Sequence, residues 1–331
     1  MEEEKCQNPP KKKIDKLKDQ ISELPDCLLI DIISRLPKTK EAIKTGTLSK
    51  RWQHLWPYVH NLIFIHHYYE LDKIFVSLVD KTLTQCRQSN LHKFQIRTSY
   101  DHQFESPSSN WIRYAVSRNV QDLELNLTEL VSDKLVLIQF MFINSCLTHL
   151  KLRCCVINPT GAISWSKLTS LSITYADLSE DLIQNILSGS PLLETLELKD
   201  CYGFRRIDIT SKSVKNFVFS GYVDHEVEEV IEINAPYIVS LTIADDLWLS
   251  KLLLVDVSCL VKAHLDYKKY GHYEPTREVS QEETLKGLIL SLRHVKELKI
   301  GELCFEALAG LKAKGFICPS NLKVLEENDS N

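Results

Sequence analysis

Leu147-Thr148-His149-Leu150-Lys151-Leu152, Leu168-Thr169-Ser170-Leu171-Ser172-Ile173 and Leu193-Glu194-Thr195-Leu196-Glu197-Leu198 spell one phrase, apolar-x-x-apolar-x-apolar. Two of its apolar residues alternate, as on one face of a short strand, and the third closes the turn before it. The phrase returns clearly at Val120/Leu123/Leu125 and Ile238/Leu241/Ile243. It returns more loosely from Val59, Leu91, Val214, Leu260, Val295 and, in part, Leu322, with starts 21 to 35 residues apart. A unit of this size cannot bury its own apolar face, so neighbours must stack. The predicted fold class is α/β: an irregular solenoid whose strands, about ten of them, form a curved parallel sheet about 50 Å long. Leu123, Leu125, Leu150, Leu152, Leu171, Ile173, Leu196, Leu198, Leu241 and Ile243 are its predicted core.

The return segments fit. Ser179 to Leu187 reads as a helix with apolar residues at 182, 183, 186 and 187, ended by Gly189 and Pro191. Val136 to Ile143 is expected to play the same part before Leu147. Cys155 and Cys201 each follow the last strand leucine, Leu152 and Leu198, by three residues. The spacing and these cysteines resemble leucine-rich repeats, where a small polarisable side chain at that place meets backbone groups of adjacent turns.

The chain before the first repeat has another character. Residues 19–56 read DQISELPDCLLIDIISRLPKTKEAIKTGTLSKRWQHLW. Pro25 suits a helix start, and Leu28, Leu29, Ile32, Ile33 and Leu36 form one apolar stripe. Pro37 stops that helix. A second short helix carries Ala42 and Ile43, Gly46 marks a break, and a third begins near Ser49 with Leu48, Trp52, Leu55 and Trp56 on one side. Three such helices make a poor independent core, so their apolar surface must be covered by something else.

This stretch resembles an F-box, above all in Leu24-Pro25-Asp26, Leu36-Pro37 and Leu48-Ser49-Lys50-Arg51-Trp52, the last run as in plant F-box proteins. With the repeats, the chain is similar to plant F-box/leucine-rich-repeat proteins of the FBD-associated kind. Ser188 to Leu196 looks like that family's turn into a strand, and Val295 to Pro319 is similar to the segment before its final region. The resemblance implies a substrate-receptor subunit of an SCF-type ubiquitin ligase, without catalytic residues of its own. Leu24, Pro25, Leu28, Ile32, Leu36, Pro37, Leu48 and Trp52 would contact a Skp-family adaptor and through it a cullin scaffold, while the repeats hold a target protein. The alternatives are a repeat scaffold without ubiquitination, or a receptor with a small-molecule ligand in the repeat concavity. The expected division is a polar leader at 1–18, the F-box at 19–57, repeats at 58–325 and a polar tail at 326–331. The last repeat starts at Leu322 and runs out, so a truncated or alternatively spliced C-terminal region is expected.

Composition agrees with an ordinary globular chain of 331 residues, 44% hydrophobic and 25% charged. A net charge of −4 makes no case for nucleic acid or an anionic membrane. No apolar run is long enough to span a bilayer, and the charged N-terminus lacks a signal-peptide core, so a nuclear or cytoplasmic location is expected. The 10 cysteines include no CxxC pair, which argues against a zinc site. No phosphate-binding glycine loop or nucleophile elbow occurs, and no cofactor is expected. Asp245-Asp246 and Glu282-Glu283 read as solvated loop pairs. Arg205-Arg206 with Lys212 is the one basic cluster placed to build a binding rim.

Overall fold

The computed structural model describes residues 21, 23–66, 72–100, 104–129, 134–223, 230–270 and 277–324. The leader at 1–18 and the tail at 326–331 lie outside the described residues.

Among the described residues, eleven strands form one sheet in sequence order, every neighbouring pair parallel. They are β1 (Asn61–Ile65), β2 (Lys93–Tyr100), β3 (Asp122–Glu129), β4 (His149–Arg153), β5 (Ser170–Thr174), β6 (Thr195–Lys199), β7 (Asn216–Val223), β8 (Ser240–Trp248), β9 (Lys262–Tyr270), β10 (Glu297–Ile300) and β11 (Leu322–Val324). Each of the first ten begins two residues after the start of its phrase. The fourth positions are therefore register partners across the sheet, from Leu62 and Phe94 through Leu123, Leu150, Leu171, Leu196, Phe217 and Leu241 to Ala263 and Leu298. All are buried, as are all ten predicted core residues. Removing each large aliphatic side chain from water contributes about 1.5–3 kcal/mol. Between turns, one carbonyl accepts twice: Gln121 from the Thr148 and His149 N–H groups, Thr148 from Thr169 and Ser170, and so on to Val261 from Lys296 and Glu297.

The last strand corrects the reading at Leu322. Leu322 pairs with Leu298, so it fills the fourth position of the phrase, and Pro319 stands at its start. The Leu322 N–H bonds back to the Pro319 carbonyl.

The return segments differ along the array. The long steps carry helices α4 (Asp72–Gln85), α5 (Glu105–Ser117) and α7 (Arg277–Ser291). The short middle steps return extended: Arg206–Asp208, Val230–Asn234 and Lys251–Asp256 form a second parallel sheet on the opposite flank. Val136 to Ile143 is not the expected helix. Two-residue strands at Leu135–Val136 and Ile143–Asn144 enclose one 3-10 turn, Gln139–Phe142. The predicted helix after Ser179 is α6 (Glu180–Gly189), whose N-cap is Ser179, accepting the Leu182 N–H at 3.2 Å. α8 (Phe305–Ala313) covers the last turns.

Five residues, each seven after its phrase begins, take a left-handed backbone: Cys154, Tyr175 and Asp200 just past β4, β5 and β6, and Gly221 and Asp245 inside β7 and β8. Asp245 and Asp246 thus belong to β8, and Glu282-Glu283 to α7, not to loops. Cys155 and Cys201 are buried as expected, Cys155 Sγ lying 3.5 Å from the Arg153 carbonyl, and Cys201 Sγ 3.4 Å from those of Ile173 and Lys199. Burial pushes the Cys201 thiol up to about 12 and raises that of Cys155 too. Such a thiol stays protonated and inert.

Candidate docking surface and open sheet face

The N-terminal unit consists of α1 (Asp26–Ser34), α2 (Thr39–Lys44) and α3 (Lys50–Gln53). Pro25 is the N-cap of α1 rather than a residue of its first turn. Ser49 caps α3 by accepting the Trp52 N–H at 3.5 Å. Arg51 ties the ends together: its Nε and Nη2 donate to Asp26 Oδ1 at 2.8 and 2.6 Å, and Nη2 also to the Leu24 carbonyl. The guanidinium so fixes the Leu24-Pro25-Asp26 entry. Sequence reasoning used Arg51 only as part of a motif; the signal was an unmatched Asp at a helix start and an Arg in the same short unit.

The single stripe expected on α1 is in fact two. Leu29 is 0% and Ile33 1% exposed, packed in the core, whereas Leu28 is 46% and Ile32 45% exposed, about 100° round the helix. Both pairs are spaced four apart, so a helix carries each on its own face. Leu48 stands apart from Trp52, Leu55 and Trp56: it is 67% exposed, while those three are buried. Pro25 and Pro37 are exposed, and Leu24 and Leu36 are half-buried against the core. Trp52, expected at the adaptor contact, is 6% exposed within the core. It holds the unit in place instead of facing outward. The structure therefore brings Leu28, Ile32, Leu48, Pro25 and Pro37 to the surface and withdraws Trp52.

This unit also closes the edge of the sheet. Ser34 Oγ accepts the His60 N–H at 2.9 Å, the Ser34 carbonyl accepts Asn61 Nδ2 at 2.8 Å, and Thr39 Oγ1 accepts the Ile63 N–H at 2.6 Å. An edge strand's unpaired N–H groups otherwise invite foreign pairing. Beside them His60 stacks on His92, centroids 4.8 Å apart, and lies 3.7 Å from Asp31. Burial, then His92, hold the His60 imidazole below its usual range.

The other surface of interest is the open face of the sheet, made by residues between the buried ones. Over β3 to β8 it holds a polar recess of about 390 Å³, lined among others by Lys151, Arg153, Ser172, Lys199, Asp200 and Asp245. The basic cluster Arg205-Arg206-Lys212 does not reach this face. Arg206 lies on the flank sheet, its Nε 2.8 Å from Asp208 and its Nη1 3.0 Å from Glu232, and Lys212 rests on the Tyr237 ring. Among the described residues no three His, Cys, Asp or Glu side chains gather to hold a metal ion. No helix among them is long and apolar enough to cross a membrane.

Known proteins agree with the eleven-strand ladder and the unit that closes it. The family described as "FBD-associated F-box protein At5g56370, LRR repeats" matches residues 108–325. This chain belongs to the FBD-associated F-box/leucine-rich-repeat family. It is 33% identical over 93% of its length to the Putative F-box/LRR-repeat protein At3g18150 of Arabidopsis thaliana, of which it covers 65%. It is 31% identical over 91% of its length to the F-box protein At5g03100 of the same plant, of which it covers 94%. F-box/LRR-repeat protein 25 is 35% identical over 60% of the chain. The chain spans about half to two-thirds of the length of several such relatives. The α1–α3 unit stands where the F-box was expected, and the sheet is the repeat array.

Proposed function

We propose that the protein is a substrate-receptor subunit of an SCF-type ubiquitin ligase, working in the nucleus or cytoplasm. The observation that carries the reading is the divided helix α1. Its Leu29 and Ile33 are buried in the core of this chain, and its Leu28 and Ile32 are left to solvent. A Skp-family adaptor, itself bound to a cullin scaffold, would cover that second face together with Leu48, Pro25 and Pro37. The open sheet face would hold the target. The subunit performs no bond chemistry; it raises the local concentration of a target lysine near the charged ubiquitin carrier.

The test is capture of a Skp-family adaptor by the full chain and by a Leu28→Glu/Ile32→Glu variant. Each buried aliphatic contributes about 1.5–3 kcal/mol to an interface, so the variant should bind at least about tenfold more weakly. Its thermal unfolding should not change, because both residues are exposed in the free chain. Equal capture by both forms would overturn the docking assignment and leave a repeat scaffold.

A further inference from the structure

Charge on the open face is distributed unevenly along the array. On β2 and β3 it cancels: Lys93 lies 3.2 Å from Asp122 and 3.5 Å from Glu124, and Arg97 lies 4.0 Å from Glu124. The next strand, β4, adds two cations, Lys151 and Arg153. On one side Lys151 is the register partner of Glu124 on β3; on the other, β5 brings no acid and presents Ser170, Ser172 and Thr174. Beyond this hydroxyl floor, Glu197 and Lys199 of β6 pair at 3.3 Å. Further acid follows at Asp200, within the field of Arg153, and, two strands on, at Asp245.

These two carboxylates converge because of the backbone. Asp200, Gly221 and Asp245 occupy the same left-handed place in successive turns. A Cβ on Gly221 would collide with the Asp200 carboxylate, so that carboxylate leans over β7, while Ser220 Oγ donates to Asp245 Oδ2. Partial burial, then Asp245, keep the Asp200 carboxyl above its usual range. Next to the recess, the Arg153 guanidinium lies 4.6 Å from the ring centre of Tyr175.

The recess thus has a cationic wall on β4, an anionic wall from β6 to β8 and a hydroxyl floor on β5. β4 and β6 stand two strand spacings apart, about 10 Å, which admits one extended chain. Such a chain, with its backbone N–H and C=O groups turned down to the hydroxyls, sends successive side chains to opposite walls. We infer that this recess takes an extended segment of a target protein in which acidic and basic residues alternate. The acidic ones meet Lys151 and Arg153, and the basic ones meet Asp200 and Asp245. The inference rests on the reading of the chain as a substrate receptor.

The probes are two short fluorescent peptides of identical composition, one alternating glutamate and lysine, the other with all glutamates before all lysines. Anisotropy is read on the full chain at low salt. Several partly shielded ion pairs acting together favour the alternating peptide by about tenfold, and the preference fades as salt is added. The double variants Lys151→Gln/Arg153→Gln and Asp200→Asn/Asp245→Asn should each abolish the preference with unfolding transitions unmoved, since these side chains are at least partly exposed. Equal affinity for the two peptides, or a preference that survives both double variants, overturns the proposal. Adaptor capture, measured on the same variants, should be unaffected. Its failure in the unmodified chain would sink the receptor reading while leaving the peptide result standing.

Discussion

Thr39→Val tests the junction between the two parts of the chain. Thr39 is 2% exposed, and its Oγ1 is the acceptor for the Ile63 N–H at 2.6 Å. Valine keeps the shape of threonine and removes the acceptor. A buried N–H left without a partner costs about 1–3 kcal/mol, and the added methyl returns up to about 1 kcal/mol by burial. The expected net loss is about 1–2 kcal/mol. Ser34→Ala removes the acceptor of the His60 N–H on the same edge and should cost about 1–2 kcal/mol by the same reasoning. Urea unfolding of the full chain measures the total, and amide exchange at Ile63 locates it. The variant should exchange faster at Ile63 while Leu196 in the middle of the sheet keeps its protection. A loss under about 0.5 kcal/mol, the scatter of ordinary surface changes, together with unchanged exchange at Ile63, would refute the claim that the N-terminal helices cap the sheet.

Gly221→Ala should destabilise by about 1–2 kcal/mol in thermal or urea unfolding, because an L-residue there meets both a left-handed backbone and the Asp200 carboxylate. In the native protein, Cys27 and Cys259 should react quickly with maleimide, whereas Cys201 and Cys304, buried and each with its thiol pushed up to about 12, should react only on unfolding; rapid labelling of Cys201 would contradict its packing. His60 and His264 are held below their usual range, chiefly by burial. The unfolded chain therefore takes up protons first as pH falls through about 6.5, so their contribution is complete above that pH and is lost towards the lower folded values. Stability profiles from pH 8 to 5 should be shallower for His60→Gln than for the unmodified chain, and parallel profiles would remove His60 from this account.

The repeat array was legible because its signal is a period. Every copy spends three apolar residues on the same geometry, and a slip of one residue would turn each to the wrong face; ten starts therefore placed ten strands. The slip at Leu322 shows the limit: with Pro319 in the first position, only Leu322 and Val324 remained to mark the copy, and only pairing with Leu298 and Ile300 settled its register. The return segments were half legible. α6 announces itself by Ser179 and a helical stripe, but Val136 to Ile143 is just as apolar and forms one 3-10 turn between two short strands. The N-terminal unit was recognisable as a motif, while its division into buried and exposed residues was not.

The sequence alone determined the strand positions, the inward ladder, the buried cysteines and the F-box likeness, since each follows from local spacing that any stacked neighbour must satisfy. Tertiary structure alone decided that Leu29 and Ile33 are buried while Leu28 and Ile32 turn to solvent, and that Trp52 lies inside. It alone set Thr39 and Ser34 on the edge of β1 and drew Asp200 and Asp245 together over Gly221. The physical reason is distance along the chain. Spacing of three or four residues reports which face of an element is apolar, but which of two apolar faces is covered, and which charges meet across three strands, depends on partners 20 to 30 residues away.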